Sequence, residues 1–63
     1  MKDTTVYVIE TKKDIWWSRS KMDATYKHIE FFWRDKARYK EMTMKRFNQL
    51  RQTTDKKVWE IEP

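Results

Sequence analysis

The apolar positions of this chain follow a two-residue period at first, then a period of three to four. "TTVYVIET" at 4–11 is β-branched and aromatic, which predicts a strand with Val6 and Val8 on one face and Tyr7 and Ile9 on the other. "KKD" at 12–14 reads as a short polar turn without the Asn-Gly signal of a tight hairpin. "IWWSRS" at 15–20 is then the returning strand. Alternation puts Ile15 and Trp17 on one face and Trp16 with Ser18 on the other. Ile15 marks Trp17 as the core tryptophan, so Trp16 is expected on the opposite, exposed face.

From about residue 23 the period changes. Met22, Tyr26, Ile29, Trp33 and Ala37 recur at spacings of three and four, which is one face of a helix that Ser20 or Asp23 can cap. That stripe is expected to pack on the sheet. Phe32 flanks it, while Phe31 lies well away from it and needs separate cover.

Residues 39–52 fit two patterns. As helix, Met44, Phe47 and Leu50 continue the stripe; as strand, Met42 and Met44 alternate with Thr43 and Lys45. Helix propensity favours the first reading. Length favours the second, because a helix from 23 to 51 would run about 44 Å in a very small domain. "TTDKK" at 53–57 is a turn, and "VWEIE" at 58–62 a last strand with Trp59 and Ile61 inward. The expected fold is α+β: a small antiparallel sheet with one amphipathic helix on one face, in the order ββαββ or ββαβ. One helix covers one face, so the other is expected to be bare and apolar, with Trp16 on it.

Composition narrows what such a fold can be. Sixty-three residues make a single domain over 1–63, short enough that stability is marginal without a staple. There is no cysteine, so no disulfide and no thiolate metal site, and the single histidine, His28, cannot build a histidine-rich one. No metal or cofactor is expected. The ten aromatic side chains (four Trp, three Tyr, three Phe) must supply the core instead. There is no glycine, hence no phosphate-cradling loop, and the lone proline is Pro63. No apolar run exceeds four residues ("VYVI" at 6–9; "FFW" at 31–33 has three), far short of a membrane span. "MKDTTVYVIE" lacks the apolar core of a secretory signal, so a cytoplasmic protein is expected.

Catalysis finds little footing. A nucleophile would need a base, and His28 stands alone; "HIEFF" lacks the second histidine of a zinc-protease helix. Glu60 and Glu62 read as a solvated edge. The expectation is a non-enzyme.

Charge is the sharper signal. The net +5 sits wholly within residues 34–51, where Arg34, Lys36, Arg38, Lys40, Lys45, Arg46 and Arg51 face only Asp35 and Glu41; the other 45 residues balance to zero. Such a stretch suits the phosphates of RNA or single-stranded DNA, with Tyr39, Trp16 or Phe31 stacking on bases. It equally suits a protein partner with an acidic or apolar face, for which exposed Trp, Tyr, Arg and Met are the residues enriched in interfaces. The candidate partner-binding set is Trp16, Arg34, Lys36, Arg38, Tyr39, Lys40, Lys45, Arg46 and Arg51. A homodimer that buries the bare sheet face is compatible with either partner.

A cysteine-free, aromatic-rich, highly charged domain opening "MKDTTVYVIE" and closing "KKVWEIEP" resembles, in general character, the short accessory proteins of bacteriophages. The resemblance implies a class of action, in which a small protein binds and then blocks or redirects a host enzyme, a defence system or a toxin, or binds nucleic acid. It carries no functional residue over. The reading is a small basic binding module that docks on and modulates or inhibits a macromolecular partner, a protein before a nucleic acid.

Overall fold

The computed structural model describes residues 4–62. Two helices enclose a four-stranded sheet. The elements are β1 (Thr5–Glu10), β2 (Asp14–Ser18), α1 (Lys21–Asp35), β3 (Arg38–Thr43), α2 (Met44–Thr53) and β4 (Lys57–Glu60). Across the sheet the strands run β3-β1-β2-β4. β1 is antiparallel to both neighbours, whereas β4 pairs parallel to β2. The fold class is α+β as expected. The sheet is mixed rather than purely antiparallel, and a second helix is present.

The hairpin between β1 and β2 closes without Asn-Gly because Thr11 supplies the turn chemistry. Its backbone N–H donates to the Asp14 carbonyl at 2.9 Å, and its Oγ1 accepts from the Asp14 N–H at 2.9 Å. Val8 then lies opposite Trp17 and Ile9 opposite Trp16.

Ser20 caps α1, its hydroxyl accepting from the Asp23 N–H at 3.4 Å, and its carbonyl takes the Ala24 N–H. The helix stops at Lys36, which holds φ 51° and ψ 45°. A left-handed residue ends a helix because it turns the chain off the axis, but a side chain with Cβ takes that conformation at a cost of about 1 kcal/mol.

The ambiguous stretch 39–52 is both things in turn. Its first part is β3, its remainder is α2, and the change falls at Thr43. The Thr43 hydroxyl accepts from the Arg46 N–H at 3.2 Å and so caps the new helix. This division changes the architecture. The chain steps from β2 through α1 over β1 to β3, then returns through α2 across the whole sheet to β4. Two crossovers of the same hand travelling in opposite directions place their helices on opposite faces.

Each face therefore has its own core. On one, Val6, Val8, Ile15 and Trp17 pack under the fully buried Phe47 of α2, with Met42, Met44, Leu50 and Val58 around them. On the other, Ile9, Ala24, Ala37 and Ile61 are buried, flanked by Tyr7, Trp16, Phe31 and Tyr39 under α1. The alternation of β1 is thus used on both sides. Neither face is bare: α1 covers the face that carries Trp16, the one expected to be open, and α2 covers the Trp17 face because residues 44–53 are helix.

A second expectation is overturned with it. Trp16 is not an exposed side chain on an open sheet. It is half-buried beneath α1, with Phe31 at 5.4 Å and Trp59 at 5.7 Å between ring centroids, and the Lys27 ammonium lies 5.5 Å over its ring. Trp17 is the buried tryptophan, as Ile15 indicated, and its ring meets Phe47 at 5.1 Å.

Candidate functional site

The orientation of α1 decides what the surface offers. Its inward residues are Ala24 and Phe31, with the stems of Lys27 and His28 beside them. The stripe expected to face the sheet faces solvent: Met22 is 67%, Tyr26 68%, Ile29 56% and Trp33 83% exposed. The reason is volume. Tyr7, Trp16, Tyr39 and Trp59 all rise from the sheet on this side, filling the layer so that the helix need supply only Ala24 and one aromatic. Ala37, the last member of the expected stripe, is buried beyond the end of the helix.

His28 is held in this layer. Its Nε2 lies 3.1 Å from the Ala37 carbonyl, and since a carbonyl only accepts, Nε2 carries the proton. Its ring also lies 5.7 Å from those of Phe32 and Tyr39.

Strand register sorts the candidate binding residues. Arg38, Lys40 and Met42 lie opposite Glu10, Val8 and Val6, so they project on the α2 side. Lys45, Arg46 and Arg51 are exposed on α2 itself, and the Arg51 guanidinium sits 5.7 Å over the Phe47 ring. Five of the predicted cations therefore share one side of the molecule. Lys36 is exposed at the end of α1. Arg34 lies in the last turn of α1, and its side chain falls outside the described part.

Tyr39 goes the other way. It lies opposite Ile9 on the α1 side, stacked against Tyr7 with centroids 6.5 Å apart. Its hydroxyl donates to Glu41 Oε2 at 3.2 Å. Burial, reinforced by the Glu41 carboxylate, pushes that phenol up to about 12.

No family model, curated protein or solved structure matches this chain. Its surface chemistry has to carry the functional reading.

The α2 side holds a groove. An open hollow of about 720 Å³ runs where α2 starts beside β3, lined by Lys40, Glu41, Met42, Thr43, Lys45, Arg46 and Gln49. β3 is an edge strand of the sheet, so one row of its backbone N–H and C=O groups faces outward. Lys45, Arg46, Arg38 and Arg51 form no ion pair among the described residues. Lys40 does, within a clamp on Glu10: Lys40 Nζ reaches Oε1 at 3.2 Å and Lys56 Nζ reaches Oε2 at 2.9 Å. Lys56 also donates to the Thr11 carbonyl at 2.9 Å. The clamp ties the start of β4 and the middle of β3 to the end of β1. The hydrogen bond from Lys56 holds the Glu10 carboxyl below its ordinary value against a partial opposing effect of burial, and Lys40 adds to the lowering.

Sequence reasoning found the cations and missed the edge strand and groove that organise them. The break at Thr43, a capping residue three positions before Arg46, was the available signal.

Proposed function

We propose that the chain is a small non-catalytic binding module of the cytoplasm that docks on a protein partner and modulates or inhibits it. It takes an acidic, extended segment of that partner along the β3 edge. The observation that carries this reading is the gathering of Arg38, Lys40, Lys45, Arg46 and Arg51 on the side where an edge strand borders an open groove. An edge strand offers main-chain hydrogen bonds to an added strand, and flanking cations select for acidic side chains and speed encounter. Met42, half-buried in the groove, offers an adaptable apolar contact.

The location of the aromatics favours protein over single-stranded nucleic acid. Tyr39, Trp16 and Phe31, the residues that would stack on bases, all lie on the α1 side of the sheet. The five gathered cations lie on the other, where Trp17 and Phe47 are buried. A single-strand site needs both on one surface. Non-catalytic action is supported by the engagement of His28 with the Ala37 carbonyl. The resemblance to bacteriophage accessory proteins points to the same class of action and names no target.

The test is capture from lysate, with and without nuclease, on immobilised wild-type chain and on the double variant Lys45→Glu/Arg46→Glu. A protein held by the wild type after nuclease and lost by the variant supports the reading. Recovery of RNA or DNA alone, released steeply by salt, would replace it with phosphate binding. A protein held equally by both would move the docking face elsewhere.

A further inference from the structure

The exposed stripe of α1 lies on the opposite side of the sheet from the basic groove and has no part in the function proposed for it. Met22, Tyr26, Ile29 and Trp33 are spaced four, three and four apart, which is the a/d seam of a coiled coil over two heptads. The residues at the opposing f positions are Ala24 and Phe31, and these are the ones that face the sheet. The helix thus turns its seam to solvent. Phe32 widens the seam, and His28, Ile29, Phe32 and Trp33 line a shallow hollow of about 340 Å³ in it. An apolar face of this size on a chain that is 40% charged calls for a cover.

We propose that the cover is a second copy of the chain, packed through α1 in an antiparallel, two-fold helix pair. Three observations select this occupant. The seam is self-complementary under a two-fold axis at its midpoint: Met22 meets the second copy's Trp33, and Tyr26 meets its Ile29. Each pairing joins an aromatic to an aliphatic or thioether side chain of smaller bulk. The flexible Met22 then enters the hollow beside Trp33, as a knob enters a hole.

The area is adequate. Five large side chains more than half exposed amount to roughly 600 Å² per copy, or about 1,200 Å² in all, at the lower edge of stable interfaces.

Charge also permits the pairing. The five gathered cations, which would oppose self-association of a +5 chain, lie on the far side of the sheet. Glu30, bordering the seam, is paired with Lys27 at 3.6 Å. The dimer therefore presents two basic grooves on its outer sides, and a partner carrying two acidic segments, or itself dimeric, is held with avidity.

Sedimentation equilibrium on the full chain tests this directly. The wild type is expected to approach twice 8.0 kDa with rising concentration. Ile29→Glu, a substitution at a side chain already exposed, should weaken the dimer at least about tenfold while leaving the circular dichroism unchanged. In a mixed labelled and unlabelled sample, intermolecular contacts between the Met22 methyl and the Trp33 indole should appear. A wild-type chain that stays at 8.0 kDa up to roughly 1 mM overturns the inference, as does a dimer that Ile29→Glu leaves intact. Neither result touches the groove, which is read by the charge-reversal variant.

Discussion

Phe47→Ala and Trp33→Ala should differ in stability by most of what holds the domain together. Phe47 is fully buried, and its ring sits 5.1 Å from that of Trp17, above Val6, Val8 and Ile15. Truncating it loses about 3 kcal/mol of transfer free energy and leaves a cavity between sheet and helix, for a total of about 3–5 kcal/mol. A 63-residue domain has only roughly 3–9 kcal/mol in all, so the variant should be largely unfolded or close to it. Trp33, although larger, is 83% exposed, and its truncation should cost no more than about 0.5 kcal/mol. Urea denaturation followed by far-ultraviolet circular dichroism measures both. It should be run at low micromolar concentration, so that any dimer through α1 does not add to the stability of the wild type. If Trp33→Ala cost more than about 2 kcal/mol there and Phe47→Ala less than about 1, the seam of α1 would be the inside of the molecule, contrary to this structure.

Two further substitutions test local physics. Lys36→Gly should stabilise the domain by about 0.5–1 kcal/mol, since glycine takes a left-handed φ of 51° without the Cβ clash; a loss of stability would mean that the lysine side chain matters more than its backbone. Glu10 has a folded pKa lowered from 4.5, so its contribution is complete above that value and is lost as pH falls through the folded one. Glu10→Gln should therefore destabilise at pH 7 and converge on the wild type in acid. A difference that stayed constant from pH 7 to about pH 2 would show that the carboxylate charge is not what Lys40 and Lys56 hold.

Much of the fold was legible in the chain because strand alternation and helix periodicity are local. The hairpin, the burial of Trp17 and the start of α1 just after Ser20, one of its two candidate caps, all follow from residues a few positions apart. Residues 39–52 were legible only in halves. Both periods are present, and the switch between them depends on a single capping threonine.

The facing of α1 was not legible. Periodicity tells which residues share a helix face, not what covers that face, and here the space beneath the helix is taken by Trp16, Tyr7 and Tyr39 from the strands. The same gap misplaced Trp16. Its expected exposure assumed a single helix over the Trp17 face; α2, begun at Thr43, takes that face and leaves α1 to cover Trp16. The cations of the candidate site were visible as a run, but which of them share a surface is set by pairing register, and register separates Arg38 and Lys40 from Tyr39 between them.

Amide chemical-shift mapping would test the docking surface most directly. The labelled chain is titrated with an extended peptide of alternating glutamate and valine and, in parallel, with a single-stranded oligonucleotide of equal charge. The peptide should bind more tightly, with the largest shifts along β3 and the first turns of α2, from Arg38 to Gln49. Tighter binding of the oligonucleotide, or peptide shifts that leave β3 unmoved, would contradict docking of an acidic protein segment at that edge.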